Sequence, residues 1–163
     1  MDTAYRSTKI DFYKTQENVQ LSKKYCTKHY MSPENTQKLF DTFPHLYRGR
    51  VKSLQESLMS WGFTCGDGWF DLVWTLSQDI EDLARTTGLE PHSDEWPEAV
   101  QVKEKHGMLR FHLKRTPLTT RYKVVVLIRE AELRSAIICE ECGMPLVTVA
   151  SHEFEPLRDV YTK

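Results

Sequence analysis

Two cysteines near the carboxyl end of the sequence have the spacing of zinc ligands. Cys139 and Cys142 are separated by two residues, and Gly143 follows them directly. A tight turn can present both thiolates to one ion, and glycine permits the positive φ that such a turn requires. In a reducing compartment a close cysteine pair indicates metal or redox chemistry rather than a structural disulfide. The pair therefore predicts half of a tetrahedral zinc site.

Three completions of this zinc site are open. Cys26 and His29 form a second pair with ligand spacing, and with the carboxyl-terminal pair they would give a Cys₃His site, which is the preferred set. His152 with Glu153 or Glu155 would close a local site, although carboxylates are uncommon ligands of structural zinc. In the third case the site has been lost: no metal is bound, and the cysteines are reduced and partly buried.

A second kind of chemistry is indicated by charge. The net charge of −1 conceals segments of +4 over residues 1–66, −8 over 67–98, +6 over 99–135 and −3 over 136–163. Such blocks are usually solvated faces, but they also suit a charged partner. Five basic residues cluster around one region: Lys103, Lys105, Arg110, Lys114 and Arg115. They could neutralise phosphate groups, provided that the acidic segment points away from a bound nucleic acid.

The tryptophans predict packing and, where exposed, protein binding. Trp61, Trp69 and Trp74 surround a glycine-rich turn and are expected to pack two helices together. An exposed member of this set would instead be a protein-binding anchor, because tryptophan is enriched in interface hot spots. Trp96, in an acidic loop with Asp94 and Glu95, is expected to project into solvent. These three residues are the predicted protein-binding site.

The sequence contains no recognisable catalytic motif. It has six histidines but no GxSxG, HExxH or phosphate-binding glycine loop. An enzyme such as a nuclease, with catalytic residues dispersed along the chain, is the third functional alternative.

The amino-terminal half predicts helices. Residues 1–31 are polar with scattered aromatics and are interpreted as an arm before a single domain over 32–163. Ser32 and Pro33 form a helix start that should run to about Thr42. The apolar residues of 47–61 recur at steps of three and four and predict a second helix: Val51, Leu54, Leu58 and Trp61. A third helix follows Asp67, and its expected buried face consists of Phe70, Val73, Leu76 or Ser77, Ile80, and Leu83 or Ala84.

The carboxyl-terminal half predicts a hairpin and one more helix. Residues 100–103 and 109–113 alternate apolar and polar side chains around Gly107, which is typical of a β-hairpin. Phe111 should then face the core. The last helix, from Thr119 or Thr120 to about Ile137, is expected to bury Tyr122, Val125 or Val126 and other apolar residues. The predicted fold is α+β, with three to four helices on a small antiparallel sheet and a carboxyl-terminal cysteine knuckle, which could be a degenerate zinc ribbon.

Three stretches in this order resemble a known family. They are CGDGWFDLV from Cys65, VQVKEKHGMLRF from Val100 and AELRSAIICEECG from Ala131. The chain thereby resembles, over about residues 62–145, a family of small uncharacterised proteins of tailed bacteriophages and prophages. Their pattern is approximately GWFDL, VQVKEKFGTLRFY and AExRSxxxCExCGxxG. Many members continue with a second cysteine or cysteine–histidine pair that completes a zinc ribbon. Here residues 146–163 contain no cysteine, and His152 is their one conventional nitrogen ligand for zinc.

This resemblance implies a phage origin and a soluble accessory protein, but it carries no activity. With no signal peptide or membrane-spanning stretch in the sequence, the host cytoplasm is the expected location. The leading interpretation is a non-catalytic phage-encoded protein that inhibits or redirects a host factor or antiviral defence complex, as an anti-CRISPR-like or host-takeover protein. The alternative is a zinc-ribbon-derived accessory protein that binds nucleic acid. No membrane partner is expected.

Overall fold

The computed structural model describes residues 30–114 and 116–146. Helix α1 spans Pro33–Thr42, and Ser32 is its N-cap, with Oγ accepting a hydrogen bond from the Asn35 amide at 3.3 Å. This satisfies one of the unpaired amides of the first turn, as predicted from the sequence. Leu39 is the fully buried residue of the helix. Most of the predicted arm, residues 1–29, lies outside the described residues.

The prediction of a single helix over residues 47–61 is wrong. The segment contains two short 3-10 helices, Arg48–Val51 and Leu58–Trp61, with turns between them. Its serines bond to nearby backbone groups: Ser57 Oγ accepts from the Met59 amide, and Ser60 Oγ donates to the Lys52 carbonyl at 2.6 Å. Such bonds compete with the helical ladder. As a result the four periodic apolar residues are exposed, and Met59 is buried instead.

Helix α2, Phe70–Thr86, agrees with its predicted face. It follows a 3-10 turn at Asp67–Trp69 and buries Val73, Leu76, Ile80 and Ala84 among its inward residues. Ser77 also faces the core, where its hydroxyl lies 2.6 Å from the Tyr47 hydroxyl. The acidic residues Asp71, Asp79 and Asp82 lie on the exposed side. Val73, Leu76 and Ile80 of this helix belong to the hydrophobic core.

The sheet has three strands in the order β1-β2-β3: β1 Phe63–Thr64, β2 Ala99–Lys105 and β3 Met108–Leu113. The predicted hairpin is confirmed, and its turn uses positive φ at His106 and Gly107, 58° and 75°. The small sheet is predicted as antiparallel; the β2–β3 pair is antiparallel, and the short strand β1 adds to β2 in parallel. A two-residue strand is too short to leave an alternation that can be recognised in a sequence.

The pairing register separates the two faces of the sheet. Val102 opposes Phe111, and both are buried against the helices. Lys103 opposes Arg110 on the other face, because side chains alternate along a strand and directly paired residues share a face. One face therefore contributes to the core and the other carries polar and basic side chains. Phe111 faces the core, as predicted.

Helix α3, Leu118–Ser135, packs against α2 and the β3 edge of the sheet. Its buried residues are Thr120, Val124, Ala131 and Ser135. The predicted buried stripe is therefore wrong for Tyr122, Val125 and Val126, which are exposed. Ser135 Oγ accepts a hydrogen bond from the buried Leu109 amide at 2.8 Å, a contact that favours this rotation of the helix.

The α+β class is confirmed, with three α-helices and one three-stranded sheet in the part of the chain that the structure describes. Within that part no helix has the length and apolar character needed to cross a bilayer.

Candidate functional site

The acidic loop predicted to present Trp96 is folded inward. The Trp96 ring is only 1% exposed. Arg48 Nη2 donates to the Trp96 carbonyl at 3.1 Å, and the Arg85 guanidinium lies 5.8 Å from the centre of the ring. The expected projection of Trp96 into solvent is wrong, because cations distant in sequence hold the loop against the body of the protein. Asp94 and Glu95, which precede it, are exposed as predicted.

A buried carboxylate anchors the segment 47–61. Glu98, whose side chain is 2% exposed, accepts hydrogen bonds from Arg48 Nε at 2.9 Å and Lys52 Nζ at 2.5 Å. Burial by itself raises the pKa of Glu98, but the bonds from Lys52 and Arg48 outweigh it and hold the pKa below its ordinary value. Because Glu98 directly precedes strand β2, these bonds fix the 47–61 segment beside the sheet.

An aromatic cleft lies at the end of this anchored segment. Trp61 is 68% exposed, whereas Trp69 is buried and Trp74 is half-buried. The cleft has a volume of about 290 Å³ and is lined by Tyr30, Leu58, Trp61, Gly62, Thr64 and Gln101. We call these lining residues the Trp61 surface. Among the three tryptophans near the glycine-rich turn, Trp61 is the exposed one that the sequence could not single out.

Two further apolar side chains of the same segment are exposed. Val51 is 83% exposed, and Leu54 is also open to solvent. The Ser60–Lys52 bond connects the ends of this loop, and the two 3-10 helices contact each other. Neither Val51 nor Leu54 lines the cleft, so they lie outside the Trp61 surface.

The basic residues predicted to contact nucleic acid are partly brought together. Lys103, Lys105 and Arg110 share the outer face of the sheet, since Lys103 opposes Arg110 and Lys105 is two positions further along β2. Lys114 is exposed beyond the end of β3, and Arg115 falls between the described ranges.

The acidic helix is separated from this basic face by the sheet itself. Val73 and Ile80 of α2 belong to the same core cluster as Val102 and Phe111 of the inner face. The repulsion expected between the acidic segment 67–98 and a nucleic acid bound on the basic face is thereby reduced. Arg110 is also engaged within the fold, because its Nη1 lies 3.8 Å from Glu132 Oε2.

The cysteine pair lies on a turn after α3. Cys139 is buried and Cys142 is exposed. Gly143 has a φ of 73°, and its amide donates to the Cys139 carbonyl at 2.9 Å. The remaining proposed ligands, Cys26, His29 and His152, lie outside the described residues. Over 30–114 and 116–146, no group of three or more histidine, cysteine, aspartate or glutamate side chains could hold a metal ion, so the zinc site stays a prediction.

The cysteine turn docks on the glycine-rich turn before α2, a contact that sequence analysis missed. The Gly68 amide donates to the Glu140 carbonyl at 2.7 Å, and Trp69 Nε1 donates to the Ile138 carbonyl at 3.0 Å. A Cβ at Gly68 would overlap the Cys139 carbonyl and the Gly143 amide. The glycines of CGDGW were the available signal, since glycine often marks a close backbone approach.

Comparisons with known proteins return no relative for this chain: no family model matches it, and neither a curated protein nor a solved structure matches at a significant level. The resemblance to phage proteins stays a prediction.

Proposed function

We propose that this chain is a non-catalytic binding protein that captures a protein partner at the Trp61 surface. The observation that carries the proposal is the 68% exposure of Trp61 beside an open cleft. Exposing the large apolar surface of a tryptophan to water is unfavourable in free energy. Tryptophan is also among the residues that contribute most to binding energy when an interface covers it.

The chemistry of the surface favours a particular kind of partner. Leu58 and Trp61 offer apolar walls, while Thr64 and Gln101 supply hydrogen-bonding groups at the sheet edge. Lys103 lies on the same face of β2 as Gln101, two residues further along. A partner segment with an apolar anchor residue followed by acidic side chains fits this arrangement, because the charges would complement each other across the rim.

The resemblance to phage proteins supports a bacterial host factor or antiviral defence complex as that partner. Covering a functional surface of such a factor would inhibit or redirect it without any catalytic step. The proposed site of action is the host cytoplasm.

A second candidate function is nucleic-acid binding on the outer face of the sheet. The specific observation in its favour is that Lys103, Lys105 and Arg110 share this face with Gln101 of the cleft. Basic side chains would contact phosphates, and Trp61 or Tyr30 would stack on an unpaired base.

One capture experiment separates the two functions. Tagged full-length protein is incubated with bacterial lysate, with and without nuclease treatment, alongside the variants Trp61→Ala, Val51→Ala and Lys103→Glu. We expect wild type and Val51→Ala to retain one stoichiometric host protein after nuclease treatment, and Trp61→Ala to lose it. Val51 is the matched control because it is exposed in the same segment but does not line the cleft.

Two outcomes would overturn the leading proposal. Retention of the same partner by Trp61→Ala with unchanged affinity would exclude the Trp61 surface as the binding site. Nucleic acid retained by wild type, removed by nuclease and lost in Lys103→Glu, with no protein partner, would establish the second candidate function instead.

We also propose zinc as the cofactor, bound by Cys139, Cys142, Cys26 and His29. Metal analysis of purified protein should then give about one zinc per chain, as a single four-ligand site requires. Cys26→Ala and His29→Ala should lower this ratio, whereas His152→Ala should not. The reverse pattern would assign the ligand role to His152, and a metal-free wild-type protein would contradict the proposal.

A further inference from the structure

The side of helix α3 opposite the core carries a second apolar stripe. Leu118, Tyr122, Val126 and Leu133 recur at steps that return to one side of a helix with 3.6 residues per turn, and all four are exposed, Leu118 by 80%. Val125 borders the same stripe and is also exposed. A helix with apolar residues on both sides is typical of one that is buried on both sides.

Charged residues flank this stripe in a self-complementary order. On one side the exposed residues Lys123 and Glu130 lie in this order. On the other side Arg121 precedes Glu132, whose carboxylate already lies near Arg110 and Arg129 of the same chain. Lys123 and Glu130 lie equally far from the midpoint between positions 126 and 127, and so do Arg121 and Glu132. Two antiparallel copies of the helix, related by a two-fold axis at that midpoint, would bring Lys123 of each copy opposite Glu130 of the other.

We infer that the outer face of α3 binds a second copy of this chain in an antiparallel helix pair. Val126 then meets Val126 of the second copy near the axis, and Lys123 pairs with Glu130 of the second copy, twice by symmetry. A parallel two-fold pair would instead bring opposite flanks together, with Lys123 beside Arg121 of the second copy and Glu130 beside Glu132.

Such a dimer would display two Trp61 surfaces. Helix α3 packs beside β3, while the Trp61 surface lies beside β1, at the opposite edge of the sheet. Dimerisation through α3 therefore leaves both clefts open, and a partner with two binding segments would be held more tightly by effective concentration. The inference itself rests on α3 alone and stands or falls independently of the Trp61 surface.

Charge reversal tests the pairing. Sedimentation of the full chain should show a dimer. Lys123→Glu should raise the dissociation constant of this dimer at least about tenfold, because the new carboxylate at position 123 of each copy would face Glu130 of the other copy. The double variant Lys123→Glu with Glu130→Lys should recover the wild-type value. Lys38→Glu on α1 is the matched control, an exposed lysine reversed on another helix, and should leave the dimer unchanged.

A cross-link tests the direction of the helices. Val126→Cys should form a disulfide between two copies under mild oxidation, with peptide mapping joining position 126 to itself. Tyr122→Cys should not, because an antiparallel pair separates the two positions 122. Self-linking at both positions would indicate a parallel pair and overturn the inference, as would a monomeric wild-type protein at high concentration or a charge reversal without effect.

Discussion

Two segments of this protein have the same apolar spacing and opposite structures. Val51, Leu54, Leu58 and Trp61 recur at steps of three and four, as do the apolar residues of α2 that include Val73, Leu76 and Ile80. The second set is buried in a regular helix, whereas every member of the first is exposed on 3-10 helices and turns. The periodicity alone does not distinguish a core-facing stripe from an exposed one.

The difference lies in the hydrogen bonds of the polar residues between the apolar ones. Within α2, Ser77 Oγ donates to the Val73 carbonyl one turn earlier, at 2.7 Å, so the helix continues. In the 47–61 segment, Ser57 Oγ accepts from the Met59 amide, and Ser60 Oγ donates to the Ser57 carbonyl and also to the Lys52 carbonyl eight residues earlier. Glu98 holds Arg48 and Lys52 beside the sheet. An apolar stripe released from the core in this way becomes available to a partner.

The largest expected contrast is between truncations in the two segments. Ile80→Ala removes a fully buried side chain and should lower the free energy of unfolding by about 2–5 kcal/mol. Leu58→Ala, at an exposed position of the other segment, should change it by less than about 1 kcal/mol. Denaturant unfolding of both variants measures the difference. Equal losses would show that the 47–61 stripe is packed as a core.

Gly68→Ala should destabilise the start of α2. The new methyl group would overlap the backbone of Cys139 and Gly143, and relief of such a clash costs about 3 kcal/mol. Thermal unfolding provides the measurement, with Gly88→Ala for comparison, where a Cβ meets open space and only the positive φ of 77° opposes the substitution. A Gly68→Ala variant no less stable than this control would mean that the two turns do not dock.

Glu98→Gln should weaken the attachment of the 47–61 segment to the sheet. Losing charge-assisted bonds to Arg48 and Lys52 should cost about 2 kcal/mol at neutral pH. Because folding lowers the pKa of Glu98 from an ordinary value of 4.5, its contribution is complete above that pH and is lost as the pH falls through the lower folded value. Wild type should therefore lose more stability than Glu98→Gln on acidification below about pH 4.5. Parallel pH profiles would contradict this role of Glu98.

Local signals in the sequence predicted part of this fold. The Ser32–Pro33 helix start, the hairpin at Gly107 and the buried face of α2 depend on contacts between near neighbours, and all three are confirmed. The burial of Trp96 depends on Arg48 and Arg85, and the rotation of α3 involves a bond between Ser135 and Leu109. Such contacts join residues far apart in sequence, so no local pattern encodes them.

The same distinction between local and long-range contacts applies to the candidate sites. The basic residues of the hairpin share a face because strand alternation is local, and Lys103 and Arg110 were identified from sequence. The choice of Trp61 over Trp69 as the exposed tryptophan required the tertiary structure, since the buried Trp69 bonds through Nε1 to the carbonyl of Ile138, a residue far away in sequence.

The smallest effect on stability, and the most direct test, is expected for Trp61→Ala. Because the ring is largely in water, the free energy of unfolding should change by no more than about 0.5 kcal/mol. Affinity for the captured partner, measured by calorimetry with Val51→Ala as control, should fall by about 2 kcal/mol or more, roughly 30-fold. Wild-type affinity in Trp61→Ala would contradict the account, and a partner lost by both variants would place the interface elsewhere on the segment.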